Sequence, residues 1–181
     1  LYIPRGEASI SQGDKNLFYT ILEGSRTGDL GNEGSFLLAI LDSSNAKYRG
    51  NAKTNETARH GYYAIDHTTG SGNKGVVEQF EPQPIATYSE NQLIKAEASA
   101  RSGFSSGLSA LNSYRAWLAG GGRLNANFDV AANYKYDAYV DADFASGGME
   151  NADGLTKENA LLREIIEERY VSGFGSYMPF N

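Results

Sequence analysis

The sequence predicts a mainly α fold, in which helix hairpins follow a loop-rich, irregular N-terminal half that carries short strands. Two patterns favour helices in the second half. Helix-capping residues at Thr87 and Thr156 each precede a long run of helix-forming residues. In the run after Thr87, Gly103 ends the first predicted helix and Gly120 ends the second. The first half has no such periodicity, and Gly and Asn clusters divide it. We therefore separate a loop-rich region, 1–86, from a helical scaffold, 87–181, within one structural domain.

Two short apolar runs in the first half are predicted to be extended. The run 36–41 ends at a turn cluster, 42–45, which is typical of a buried strand or a short helix. We favour the strand. The second run, 76–80, is followed by Pro82 and Pro84, which disfavour helical structure in the residues before them.

Two helices are predicted over 88–102 and 105–119, with Gly103 between them. Thr87 and Glu90 fit a capping box, in which each side chain accepts a hydrogen bond from the backbone of the other residue. The resulting hairpin spans about 34 residues, the length of a tetratricopeptide repeat. Since one repeat cannot bury its own apolar face, we expect exposed apolar surface or further helices packed on the hairpin.

Two more helices are predicted towards the C-terminus. One is expected over 134–144, and the other over 156–172 with Thr156 as its N-cap and an Arg163–Glu167 ion pair on its surface. Gly173 is predicted to follow the last helical turn.

Composition excludes several classes of function. A net charge of −6 and a pI near 4.9 disfavour binding to nucleic acid or anionic lipid, which needs clustered Lys and Arg. The absence of Cys excludes disulfides, thiolate nucleophiles and Cys–zinc sites. The chain begins at Leu1 rather than at a methionine, and it continues beyond its last predicted helix to Asn181. We therefore expect a fragment that is cut at both ends.

Two glycine motifs match enzyme signatures but lie in the wrong context. Residues 70–75 fit G-x-G-x-x-G, yet the dinucleotide site needs a helix after the motif and a strand pattern follows here. Residues 103–107 fit the hydrolase pattern G-x-S-x-G, but a helix rather than a buried strand precedes them. We interpret the first as a flexible turn and the second as the turn of the helix hairpin.

Metal ligands are sparse in the sequence. His60 and His67, the only histidines, lie in a polar region and are expected to be exposed, and a site there would need further ligands such as Asp66. Asp137, Asp141 and Asp143 could hold calcium through hard oxygen ligands, although the EF-hand spacing is absent and a solvated acidic surface is the favoured alternative. No cofactor is predicted, and calcium is the one alternative left open.

Aromatic residues are the most informative set, since the chain has 12 Tyr and a single Trp. Flat rings stack on the apolar faces of sugars, and neighbouring Asn, Asp and Arg can bind the hydroxyl groups. For Trp117, core packing is the favoured interpretation. The candidate ligand-binding residues, which lie in or beside predicted loops or at helix edges, are Tyr62, Tyr63, Tyr134, Tyr136 and Tyr139.

Several segments resemble the SusD/RagB family of outer-membrane nutrient-binding lipoproteins. Residues 88–98 are YSENQLIKAEA, which is similar to the family segment Y-x-E-x-x-L-I-x-A-E-A. Residues 110–115, ALNSYR, resemble the helix that follows, and 160–170, ALLREIIEERY, resemble the late helix A-L-x-x-E-I-x-x-E-R-Y. Residues 139–148 resemble the segment that follows in one branch, and 31–33 more loosely resemble a strand entry.

The resemblance implies tetratricopeptide-like helix pairs with a loop-rich, ligand-facing insertion, and it implies no catalysis. Family members capture a glycan at the bacterial cell surface and pass it to a TonB-dependent outer-membrane porin. The expected partners are therefore an oligosaccharide or polysaccharide and the porin, with no nucleic acid. Membrane attachment would come only through a lipid anchor that this sequence lacks. A peptide-binding member of the family, a helical-repeat adaptor and a hydrolase that uses residues 103–107 remain as alternatives.

Overall fold

The computed structural model describes residues 2–3, 15–23 and 26–176, and the predicted ends at Leu1 and Asn181 lie outside them. The described chain is 48% helix and 4% strand, which confirms the mainly α fold with a loop-rich first half. Its helices and strands, in chain order, are β1 (Tyr2–Ile3), α1 (Leu17–Leu22), α2 (Phe36–Leu41), β2 (Thr54–Asn55), α3 (Thr57–Tyr63), β3 (Gln83–Pro84), α4 (Tyr88–Ser102), α5 (Phe104–Leu118), β4 (Lys135–Tyr136), α6 (Asp141–Phe144) and α7 (Lys157–Gly173).

The scaffold is the hairpin of α4 and α5, with α7 packed across both helices. Thr87 caps α4 as predicted, because its Oγ1 accepts a hydrogen bond from the backbone N–H of Glu90 at 2.9 Å. Gly103 separates the two helices, so the G-x-S-x-G match is indeed a hairpin turn. The core between the helices is built from small and branched side chains, namely Ala96, Ala100, Leu111, Ala160, Leu161 and Ile165.

Helix α7 begins where the sequence predicts and continues one residue further. Thr156 Oγ1 accepts a hydrogen bond from Asn159 N at 3.3 Å. Gly173 is the last helical residue rather than the first residue after the helix. The predicted Arg163–Glu167 pair is wrong, because Arg163 binds Asp153 at 2.6 Å and Glu167 turns inward to Arg49 at 2.7 Å.

The first half folds around a cluster of buried side chains that Val171 of α7 completes. The prediction of a strand over 36–41 is wrong. Phe36–Leu41 is the helix α2, and Ser35 Oγ caps it by accepting a hydrogen bond from Leu38 N. Four of its six residues are buried, so no polar stripe remains to reveal a helical period. The run 76–80 is not a strand either, since turn hydrogen bonds such as Glu78 N to Gly75 O fold it back.

The predicted helix over 134–144 is also largely absent. Lys135–Tyr136 forms β4, which pairs antiparallel with β2 so that Thr54 faces Tyr136. Only Asp141–Phe144 is helical in this segment. A second antiparallel pair joins β1 to β3. Within the described part of the chain, no helix is both long enough and apolar enough to cross a bilayer.

Some apolar side chains on the helices are exposed. Ile94 on α4 and Ile166 on α7 are each about half exposed, and Phe36 on α2 contacts the ring of Tyr170 at the edge of α7.

Candidate functional site

Four of the five tyrosines predicted to bind ligand are buried, so that part of the prediction is corrected. Tyr62, Tyr63, Tyr136 and Tyr139 are between 1% and 4% exposed. Their rings fill the core, and the hydroxyls of three of them donate to carboxylates, which are Glu81, Glu56 and Glu150. A buried Tyr needs such a partner for its polar end. Tyr134 alone is partly exposed; it stacks on Tyr136 and donates to Asp129 at 2.7 Å.

The space between these rings cannot hold a sugar. Tyr62, Tyr63 and Tyr136 line one internal cavity together with Arg59 and Trp117, and its volume is about 10 Å³. That volume suffices for about one water molecule. A ligand therefore has to bind elsewhere on the molecule.

The three aspartates considered for calcium do not converge. Asp137 pairs with Lys135 at 3.0 Å and Asp141 pairs with Lys157 at 3.1 Å. Asp143 is buried, and it accepts hydrogen bonds from Lys53 Nζ at 2.6 Å and from the backbone of Val140. Each carboxylate thus has its own cation, and the arrangement does not match the shared oxygen cage that calcium requires.

A buried ionic cluster joins the two halves of the chain. Arg49 and Arg59, from the first half, contact three buried glutamates, and Arg49 also contacts the partly exposed Glu167. Arg59 forms two hydrogen bonds each to Glu56 and Glu168, at 2.6–3.0 Å. Arg49 reaches Glu56, Glu164 and Glu168, each at 2.8 Å. We call the two arginines and the three buried glutamates the ionic cluster.

The protonation states follow from burial and charge balance. Burial alone would raise the pKa of Glu168, but Arg59 and Arg49 outweigh it and hold that pKa below its ordinary value. The same balance lowers the pKa of Glu56. Burial raises the pKa of Glu164 to about 8, although Arg49 acts in the opposite direction. Burial thus raises the pKa of Glu164 above neutrality while the arginines lower those of Glu56 and Glu168, so Glu164 is the glutamate that keeps its proton at pH 7.

The segments that carry the family resemblance make the polar contacts of the scaffold. Glu164 and Glu168 of α7 belong to the ionic cluster. On α5, Arg115 is 1% exposed and donates to the backbone carbonyls of Asp137 and Lys53, at 2.9 and 3.0 Å. Asn112 binds both backbone groups of Tyr139, at 2.8 and 2.9 Å. These side chains hold the segment that contains β4 in an extended form, which accounts for the missing helix.

An exposed pair of rings lies at one end of the hairpin. Tyr88, the first residue of α4, is 48% exposed, and its ring centroid lies 5.0 Å from that of the half-buried Trp117. Trp117 in turn packs on the fully buried Tyr114 at 5.5 Å. Trp117 thus packs in the core against Tyr114, as predicted, and it also contacts the exposed ring of Tyr88.

Tyr88 borders an open groove of about 530 Å³. We call it the Tyr88 groove; its lining residues are Ala86, Thr87, Tyr88, Glu90, Asn91 and Ile94. An aromatic face, an apolar side chain and two polar side chains thus lie along one shallow surface. The sequence held a signal for this site, because an antiparallel hairpin places the first turn of α4 beside the last turn of α5.

A second cavity, of about 430 Å³, lies between α1 and the turn after α7. Its walls are mainly apolar and include Phe18, Ile65, Val77 and Phe174. With so few polar groups it does not suit a ligand that is rich in hydroxyls.

Comparisons with protein-family models, with curated proteins and with solved structures find no match for this chain.

Proposed function

We propose that the chain is part of a non-catalytic glycan-binding protein of the SusD/RagB type. Such a protein captures an oligosaccharide or polysaccharide at the bacterial outer surface, where a lipid anchors it, for import through a TonB-dependent porin. The observation that carries this proposal is the Tyr88 groove. It offers an exposed aromatic ring, backed by Trp117, in a shallow surface that is open to an extended ligand.

The chemistry of the groove suits a neutral sugar. Stacking a pyranose on Tyr88 removes apolar C–H surface from water, and Ile94 extends the apolar strip. Asn91 can both donate to and accept from hydroxyl groups, and Glu90 can accept from them. The groove needs no ion pair with the ligand.

The positions of the resembling residues support the family part of the proposal. In the segments similar to SusD/RagB proteins, the polar side chains Asn112, Arg115, Glu164 and Glu168 make buried contacts between elements. Arg169 similarly reaches across from α7 to Glu97 on α4. The residues that resemble the family are therefore residues that hold the helices together. This is expected if the resemblance reflects a shared scaffold.

The test is a titration of oligosaccharides against the wild type and Tyr88→Ala. Loss of the ring should cost about 1.5–3 kcal/mol, the scale of burying one large apolar side chain. That corresponds to roughly a ten- to hundredfold weaker affinity. Phe36→Ala is the matched control, because Phe36 is also an exposed ring, 54% accessible, and it does not line the groove. Its affinity for glycan should equal that of the wild type.

The dependence of affinity on ionic strength distinguishes the glycan proposal from the peptide alternative. Binding of a neutral sugar neutralises few charges, so its affinity should change little between low and high ionic strength. Glycan binding that is equal in the wild type and Tyr88→Ala would reject the groove. Binding of peptides in place of sugars, weakened strongly by salt, would favour the peptide-binding alternative.

A further inference from the structure

Two loops of the first half bring three potential metal ligands together. His67 Nδ1 lies 2.6 Å from Glu33 Oε1, and the ligand atoms of Glu33, Asp66 and His67 all lie within 4.8 Å of one another. Among the described residues no other group of three such side chains is this close. The sequence indicated His67 and Asp66 as candidate ligands but not Glu33, which is 34 positions from His67.

Side-chain amides fix the backbone on both sides of the cluster. Asn32 donates to Tyr63 O at 2.9 Å and accepts from Ile65 N at 2.8 Å, which ties the loop of Glu33 to the end of α3. The buried Asn73 accepts from Asp66 N and donates to Asp66 O, at 2.9 and 3.0 Å. The ligand-bearing backbone is therefore positioned by contacts that do not use the ligand atoms.

Glycines allow the ligand side chains to lie close against the backbone. A Cβ at Gly31 would lie 2.5 Å from Glu33 Oε2 and 3.0 Å from His67 Cβ. A Cβ at Gly72 would lie 3.3 Å from Asp66 Oδ2. Side chains at either position would thus crowd the carboxylates.

We propose that Glu33, Asp66 and His67 bind one divalent transition-metal ion of the zinc type. One imidazole nitrogen and two carboxylate oxygens are three ligands that suit zinc, and water completes a tetrahedron. Ligand atoms of a tetrahedral zinc lie about 3.4 Å apart, given bonds of about 2.1 Å, so small rotations of side chains whose ligand atoms already lie within 4.8 Å would bring them to that spacing. The imidazole disfavours calcium and magnesium, which take oxygen ligands. The ion would join the 31–34 loop to the turn after α3, independently of any glycan site.

The test is calorimetric titration of zinc into the metal-free, untagged chain, since a histidine tag would itself bind zinc. The expected result is saturable binding of one ion per chain, with a higher melting temperature. His67→Ala and Glu33→Gln should each weaken binding by about a hundredfold, the upper end of the effect known for residues that merely support metal ligands. His60→Ala, which changes the only other histidine, should bind as the wild type does.

Three outcomes would overturn the site. The first is no saturable binding of zinc below millimolar concentration. The second is equal affinity in the wild type and His67→Ala, with circular dichroism confirming that the variant is folded. The third is calcium binding as tightly as zinc, since the imidazole would then not be a ligand.

Discussion

Glu164 and Glu168 lie one turn apart on α7 and both contact Arg49, yet the pKa values of their carboxyl groups shift in opposite directions. Glu168 also binds Arg59 through both of its oxygens, and these contacts hold its pKa below its ordinary value in spite of burial. Glu164 has Arg49 as its only arginine partner within the described chain, and burial raises its pKa to about 8. The number of cations that each residue contacts decides its charge.

This difference predicts unequal effects of the same substitution. Glu164→Gln replaces a protonated carboxyl by an amide of the same shape, so the free energy of unfolding at pH 7 should change by about 1 kcal/mol or less. Glu168→Gln removes the carboxylate that both buried arginines share and leaves one cationic charge of the ionic cluster uncompensated, which costs about 3–5 kcal/mol. Chemical denaturation of both variants checks this, and equal losses would contradict the assignment of the proton to Glu164.

The same pKa shifts predict how stability depends on pH. Glu164 has a folded-state pKa above its ordinary value of 4.5, so its contribution is complete below pH 4.5 and is lost as pH rises through about 8. Glu168 and Glu56 have lowered values, so their contribution is present above 4.5 and is lost as pH falls below it. The melting temperature should therefore fall both at alkaline pH and at acidic pH. Glu164→Gln should remove the alkaline decline and keep the acidic one.

The candidate ligand residues show what sequence leaves open at the level of single side chains. The choice of tyrosines assumed that a loop exposes its rings. Tyr62 and Tyr63 belong to α3 and pack against Phe128 and Phe174, which come from distant parts of the chain. Such contacts depend on the tertiary fold, so the sequence around Tyr62 and Tyr63 does not predict that their rings are buried.

Helices α4, α5 and α7 could be predicted because their signals are local. A side chain at Thr87 or Thr156 caps its own helix three residues on, and Gly103 separates α4 from α5. Helix α2 and strand β4 could not be predicted. The former is buried on most sides and has no visible period, while the latter owes its extended form to hydrogen bonds from Asn112 and Arg115 on α5.

The close packing of α4 against α5 predicts a large effect for one methyl group. A Cβ at Gly107 would lie 2.5 Å from the Cα of Ala100, so Gly107→Ala should force the helices apart. Overpacking of this kind costs about 1–3 kcal/mol.

The matched control is Gly103→Ala in the turn of the same hairpin. Its backbone is extended, with φ at 170°, and the nearest heavy atom to its Cβ would be Ser106 Oγ at 3.7 Å. Thermal unfolding should show a lower melting temperature for Gly107→Ala alone. A similar loss in both variants would mean that the turn, rather than the contact with Ala100, limits stability.

Across the whole molecule, the predicted division into 1–86 and 87–181 does not separate two independent cores. Val171 and Phe174 at the end of α7 pack into the cluster formed by α2 and α3. The ionic cluster crosses the same boundary, with Arg49 and Arg59 on one side and Glu164 and Glu168 on the other. The loop-rich half supplies the cations that make burial of the scaffold glutamates possible.

It follows that the segment 87–181 should not fold by itself. Without the first half, Val171 and Phe174 would lose the apolar cluster that covers them, and water would replace the arginine partners of Glu164 and Glu168. We expect poorly dispersed amide resonances and no cooperative melting transition for the isolated segment. A cooperative transition near that of the full chain would show instead that α4, α5 and α7 form a self-sufficient unit.

Trp117 is the chain's only tryptophan, and its ring packs against Tyr88, which lines the groove. Indole emission shifts to shorter wavelength when water leaves its surroundings, and a sugar stacked on Tyr88 would exclude water from this edge of the ring. Intrinsic fluorescence of the unlabelled protein should therefore follow occupation of the groove alone. Zinc bound in the first half should leave the emission wavelength unchanged, so a single optical signal distinguishes the two proposed ligands in a mixture.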